Sequence, residues 1–383
     1  MPRRFCMIKS VKPLAARCLG ATCVVIWAYL GAFRGAFWRL RERLREGNAS
    51  GATVTVVIPA RNERGSIGRT VASLRAQRMD APLRIVVADD ESSDATGAAA
   101  SAAGADLIVR IGACPDGWKG KLWALAEAIR REPHAPEYFL PTDADIEYAS
   151  PMVVQSLLAK AAEGYDLVSV MVRLRCESWA EKLLVPAFVF FFFKLYPPAW
   201  VICNKSAAAA GGCMLIRGET LRAIGGIESI RDALIDDCAL AKRVHAAGGR
   251  VWLGISDPDI RSVREYGSAK DIRAMIARSA FAQLNHSILL LTGTVLGMFV
   301  TYLAPLVLIF SGDRLAVTLG LAGWIAGAAL FLPTVRVYKA PVWTLFCLPF
   351  IAAFYLVATI ESALNYWTGR GGTWKGRVQD RKR

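Results

Sequence analysis

Three short polar clusters carry most of the chemistry available to this chain. They read Pro59-Ala60-Arg61-Asn62-Glu63, Asp89-Asp90-Glu91-Ser92-Ser93-Asp94 and Asp143-Ala144-Asp145. Two carboxylates one residue apart, Asp143 and Asp145, can hold a hard divalent cation such as Mg2+ or Mn2+. Such a cation would bridge them to a diphosphate and neutralise charge building on a departing nucleotide diphosphate. Lys119 and Lys121 lie on a glycine-rich loop and could assist or reach the base. Further on, Gly211 and Gly212 open a run into a strand, where a missing side chain lets backbone approach a sugar. Asp236 and Asp237 start a predicted helix. They serve there either as cap and dipole partners or as a general base for an acceptor hydroxyl. Each cluster alone also has a plain structural use: Asp94 or Ser93 can cap a helix, and Asp143-x-Asp145 can be a turn.

Their placement on the elements argues for more than turns. Thr53–Ala60 reads as a buried strand and 65–78 as a helix. Leu83–Asp89 is a second strand, followed by a helix over 94–103 and a short strand over 106–110. A helix over 122–131 and a strand over 138–142 come next. This alternation predicts an α/β domain, Rossmann-like, with a mainly parallel sheet and helices on both faces. Ligands of such sheets bind at the carboxyl ends of the strands, where all three clusters fall.

Several classes are excluded. No GxxxxGK[ST] and no GxGxxG after the first strand is present, which removes P-loop and dinucleotide redox readings. The nine cysteines show no CxxC, and there are only three histidines, so neither a disulfide scaffold nor a His-rich metal site is expected. Reduced thiols fit a cytoplasmic main domain. The net charge is +15, but residues 1–50 and 366–383 carry +13 of it. A near-neutral middle gives no nucleic-acid footprint; basic ends beside apolar runs point to anionic lipid headgroups.

With 54% hydrophobic residues and a mean hydropathy of +0.33, the chain is also more apolar than a purely soluble one. Three stretches, Ser287–Ser311, Leu315–Val335 and Pro341–Ile360, lack charge and are long enough to cross a bilayer. An N-terminal helix over about 14–33 reads as an uncleaved anchor; its apolar run, Cys18–Phe33, has five basic residues on each flank. The run 183–203 holds Lys194 and prolines at 186, 197 and 198, which argues for an in-plane or re-entrant segment beside a lipid substrate; a buried helix of the soluble domain is the other reading. Domains follow as 1–50 (basic segment and anchor), 51–285 (catalytic), 286–365 (transmembrane helices) and 366–383 (basic tail). One conflict follows. Three C-terminal crossings put the basic tail opposite a cytoplasmic catalytic domain, whereas the positive-inside rule wants it on the same side. One apolar run is then interfacial or a hairpin.

The ordered set VIPARNE, DDESSD, DAD, GGCMLIR and DD resembles the inverting family 2 glycosyltransferases of the GT-A fold, over roughly 53–285. The stretch GKLWAL and the tail GRGGTWKGR are similar to the hopene-associated subgroup. The resemblance implies that Pro59, Arg61 and Glu63 border the nucleotide. Asp90, beside Asp89, would contact the base, and Lys121 would lie near the nucleotide. It further implies Asp143 and Asp145 as metal ligands and Asp237, next to Asp236, as catalytic base. Glu91 stands where glycine is more usual. The processive QxxRW motif is missing its Trp around Arg278 to Gln283, so a single transfer is implied. The expected protein is a membrane-bound, multi-pass glycosyltransferase on the cytoplasmic face of a bacterial-type inner membrane. It would take a nucleotide-diphosphate sugar and a lipid acceptor, with no nucleic acid. A polyprenyl phosphate acceptor, or a non-catalytic nucleotide-sugar or lipid sensor, is the alternative. Trp374 to Arg377 would close the site or simply be solvated.

Overall fold

A computed structural model describes residues 3–49, 51–256, 258–374 and 377–380. Lys375 and Gly376, within the tail segment singled out above, lie outside the described residues. Among the described residues nine strands build the part between the apolar ends: β1 (Val54–Ala60), β2 (Leu83–Asp89), β3 (Leu107–Arg110), β4 (Tyr138–Pro141), β5 (Ile146–Tyr148), β6 (Leu167–Met171), β7 (Met214–Arg217), β8 (Val251–Ile255) and β9 (Ile260–Ser262). Seven form one sheet in the order β3-β2-β1-β4-β7-β6-β8. The β1–β2, β1–β4, β2–β3 and β6–β8 pairs are parallel, and only β7 runs antiparallel to its neighbours. Every residue of β1 is buried, as a strand covered on both faces requires. Because β2, β1 and β4 are adjacent, the three polar clusters at their carboxyl ends stand side by side.

β5 and β9 pair antiparallel outside this sheet, Ile146 opposite Ser262 and Tyr148 opposite Ile260. This small ribbon joins the residues after Asp145 to a segment more than a hundred positions later. After the first helix an extended segment covers the β8 edge: Ile255 N–H donates to the Glu42 carbonyl (2.8 Å) and Leu44 N–H to the Ile255 carbonyl (3.1 Å). Its side chains alternate, with Arg39, Arg41, Arg43 and Arg45 exposed and Leu40 buried. A covered edge removes a template for unwanted strand pairing.

Among the described residues, five helical stretches are long and apolar enough to cross a membrane: Pro13–Ala32, Trp179–Ile202, Ile288–Ile309, Arg314–Val337 and Leu348–Trp367. The first and fourth pack in parallel through small residues. A Cβ on Gly20 would lie 2.7 Å from Leu319 Cβ, one on Gly323 2.6 Å from Cys23 Sγ, and one on Gly327 2.7 Å from Trp27. Close approach of this kind is what holds helices together where lipid removes the hydrophobic drive. Arg17 closes the far end of the pair on Asp313 at 2.7 Å.

The prolines of 183–203 break the helix less than expected. Ser178 caps it with a reciprocal Glu181 contact. The helix then runs unbroken past Pro186 to Leu195, and the chain turns only at Tyr196-Pro197 before a short helix, Pro198–Ile202. Neighbouring helices hold it through Pro186: Phe190 meets Phe331 at 5.1 Å, and Phe191 meets Tyr302 and Tyr355 at 5.7 and 4.9 Å. Strands β4 and β6 precede this segment and β7 and β8 follow it, all in one sheet. Both its ends therefore lie on the side of the sheet.

Candidate functional site

The carboxyl ends of β1 and β4, the loop before β7 and the helix Asp236–Ala246 enclose a cleft of about 480 Å³. Pro59, Arg61, Glu63, Lys121, Asp143, Asp145, Gly211, Gly212, Asp236 and Asp237 all line it. Asp89 and Asp90 do not. Asp90 is fully buried, and its carbonyl accepts from Arg61 Nη1 at 2.6 Å, so it sits beneath Arg61. Asp89 accepts the Ser92 N–H at 3.1 Å. Asp94 accepts the backbone N–H groups of Arg64 (3.1 Å) and Thr96 (3.2 Å), tying together the first turns of two helices. Glu91 takes a positive φ of 50°, the conformation for which glycine is the easier residue.

Two cations organise the carboxylates. Lys121 Nζ lies 2.9 Å from both Asp143 Oδ1 and Asp236 Oδ2. Arg264 lies 2.9 Å from Asp145 Oδ2 and 2.8 Å from Glu63 Oε1, and Ser262 Oγ donates to the same Asp145 oxygen at 2.9 Å. Burial raises the Asp143 carboxyl against the pull of Lys121. Burial works the same way on Asp236, but Lys121 holds it below the ordinary carboxylate range.

Asp237 differs from its neighbour. Burial and then the Asp236 charge push it up to about 7. Its carboxylate accepts the Cys238 N–H at 2.6 Å and a backbone bond from Gly211. The glycine matters sterically: a Cβ on Gly211 would stand 3.3 Å from Asp237 Oδ2, and one on Gly212 3.0 Å from Val172. A carboxylate whose proton leaves near neutral pH is suited to take a proton from a hydroxyl.

The opposite wall is largely apolar but includes Arg278. Phe188 and Phe192 come from the Trp179–Leu195 helix, and Ala274, Met275 and Arg278 from the Ala269–Gln283 helix. Among the described residues no three His, Cys, Asp or Glu side chains gather as a ready metal cage. That donor set fits Mg2+ or Mn2+ held by one or two carboxylates and completed by substrate phosphates; Asp143 and Asp145 would be the protein ligands. Phe188 and Phe192 belong to the 183–203 run that the sequence sets beside a lipid substrate; Arg264, Ser262 and Met275 gave no sequence signal. They reach the cleft through the β5–β9 ribbon and helix packing, which no local spacing encodes.

Residues 55–225 match the family model for Glycosyl transferase family 2. No curated protein matches the chain. Among solved structures it is similar to the mannosyltransferase PcManGT from Pyrobaculum calidifontis in complex with GDP-Man and Mn2+. The identity there is 18%, over 92% of this chain and 98% of that one, with a TM-score of 0.55. It is more distantly similar to mannosyl-3-phosphoglycerate synthase from Rubrobacter xylanophilus, with 16% identity over 67% and 86% and a TM-score of 0.40. A third is glucosyl-3-phosphoglycerate synthase from Mycobacterium tuberculosis in complex with Mn2+ and UDP-glucose, with 18% identity over 59% and 77% and a TM-score of 0.39. The fold comparison rests on the first of these. The chain thus has the GT-A fold, an α/β architecture around a mostly parallel sheet, and its residues 55–225 match the glycosyl transferase family 2 model.

Proposed function

We propose that the protein is a membrane-bound inverting glycosyltransferase. It moves a sugar from a nucleotide-diphosphate sugar to a hydroxyl of a lipid acceptor, of the hopanoid or a related polyisoprenoid class, on the cytoplasmic face of a bacterial-type inner membrane. The observation that carries this reading is one cleft in which Asp143 and Asp145 face Asp237 beside a wall of Phe188, Phe192 and Met275. A purely soluble acceptor gives that apolar wall no use.

In this mechanism Arg61, Glu63 and Lys121 border the donor, and Asp143 and Asp145 would hold the metal. When bound, Mg2+ or Mn2+ neutralises charge on the leaving diphosphate. Asp237 takes the proton of the acceptor hydroxyl as its oxygen bonds to the anomeric carbon. The bond from that carbon to the diphosphate breaks on the opposite face, and the nucleoside diphosphate leaves with the electron pair. Gly211 leaves room for the sugar next to Asp237. Arg278 on the cleft wall favours a second reading, a lipid phosphate acceptor, for which no base is needed. The test is transfer of labelled sugar from a panel of nucleotide sugars into the organic phase, using membranes that contain the full chain. Label that needs Mn2+ or Mg2+ and vanishes on chelation is expected. Nucleotide binding with no transfer from any donor to any lipid extract refutes the catalytic reading.

A further inference from the structure

The parity conflict in the sequence can be settled from contacts in the helical bundle. Where the chain leaves the Ala269–Gln283 helix, His286 stacks on Tyr366 with ring centroids 4.1 Å apart. Phe281 lies 5.6 Å from Tyr366 and 5.5 Å from Trp367, and its N–H donates to Ser362 Oγ at 3.0 Å. Arg273 pairs with Glu361 at 3.1 Å. The backbone strand Gly371–Trp374 packs on the same Ala269–Gln283 helix. The chain therefore enters and leaves the bundle at one level, beside the catalytic domain.

The far level is marked by Arg17 and Asp313. Ile288–Ile309 leads out to it and Arg314–Val337 leads back. Just past that helix, the Tyr338 hydroxyl accepts from the Leu174 N–H of the catalytic domain at 3.4 Å. Two of the three runs are then used, and the chain is already back. The third run does not go down to Asp313. Trp343 lies 6.2 Å from Trp179, at the start of the proline-containing helix. The Phe346 carbonyl accepts from the indole of Trp324, in the middle of the returning helix rather than at its far end. From there Leu348–Trp367 runs back to His286.

We infer that Leu348–Trp367 does not span the bilayer. With Trp179–Ile202 it forms a two-helix surface inserted in the single leaflet next to the catalytic domain, and its partner is the hydrocarbon of that leaflet. The two helices are joined by Tyr355, which meets Phe191 at 4.9 Å and donates to the Leu184 carbonyl at 2.9 Å. Trp179, Trp343, Phe346, Phe350, Val357 and Leu364 are each half or more exposed and form the face offered to lipid. Three helices cross: Pro13–Ala32, Ile288–Ile309 and Arg314–Val337. Arg370 emerges on the side of the sheet, where the positive-inside rule wants it. The inference does not depend on which reaction the cleft performs.

The test uses the full chain with an eleventh-strand GFP tag, either after Arg383 or inserted at Gly312, and the complementing fragment expressed in the cytoplasm. Protease access in inverted vesicles and intact cells fixes the side of residues 51–285. The expected result is that the C-terminal tag shares the side of the catalytic domain and the Gly312 tag takes the other, with at least tenfold contrast in fluorescence between the two. A C-terminal tag opposite the catalytic domain overturns the inference, and so does a Gly312 tag on the same side as it. An epitope after Arg383, followed by protease in the same vesicles, repeats the measurement without complementation and covers a tag that disturbs insertion.

Discussion

Replacing Asp237 by Asn should move activity and stability in opposite directions. The side chain keeps its shape and one acceptor oxygen for the Cys238 and Gly211 N–H groups, but loses its charge and its basicity. General-base catalysis contributes about 10²–10⁴-fold, so kcat should fall by that factor. The stability effect follows from the raised carboxyl. A group pushed from 3.8 up to about 7 favours the fold while protonated; that contribution is full below about pH 4 and is lost as pH rises from there to 7. A shift of this size sets a ceiling of about 4 kcal/mol. Water in the cleft screens Asp237, and about 1–2 kcal/mol is the discounted figure. Asp237→Asn should therefore melt higher than wild type at pH 8.5, by a few degrees, and the difference should shrink towards zero near pH 4. The wild-type kcat/KM should climb with pH to a plateau just above 7. The assays are sugar transfer into lipid extracts across pH 5.5–9 and thermal melts of the purified full chain at both pH values. A mutant that keeps more than a tenth of wild-type turnover refutes the base assignment and favours a phosphate acceptor. A mutant that is less stable at pH 8.5 refutes the electrostatic reasoning itself.

Lys121→Met leaves Asp143 and Asp236 facing each other without their shared cation. Nucleotide-sugar binding should weaken at least about tenfold, measured by calorimetry, and the melting temperature should fall most above pH 7, where both acids are charged. Gly211→Ala places a methyl 3.3 Å from Asp237 Oδ2; turnover should drop about tenfold with donor affinity nearly unchanged, and an unaltered kcat would show that the glycine is not needed for close approach.

The legible parts of the molecule were those whose signal is local. Thr53–Ala60 and Leu83–Asp89 are continuous apolar, β-branched runs bounded by polar clusters, and both strands lie within a residue of their expected limits. The clusters were visible because strand ends and polar residues coincide along the chain. By contrast, Leu167–Met171 and Val251–Ile255 are short buried strands whose periodicity does not distinguish them from helix, and neither stood out. The reversed direction of β7 is a property of its partners, not of its own residues. Arg264 looked like any charged loop residue until the β5–β9 ribbon set it against Asp145. Pro186 does not end its helix for a related reason: a proline breaks an isolated helix, but not one whose neighbours hold both sides of the gap.

The glycine-lined contact between Pro13–Ala32 and Arg314–Val337 joins segments separated by about 300 residues. At the usual rate of synthesis, about 5–20 residues per second, the first helix waits roughly 15–60 s in the bilayer before its partner is made. During that interval the sheet can already assemble behind it, since β1 to β9 are complete by Ser262. The bundle is thus the last part of the molecule to close. Substitutions at Gly323 or Gly327 would then show themselves as poor insertion yield and faster turnover of newly made chain, while the catalytic domain itself folds normally.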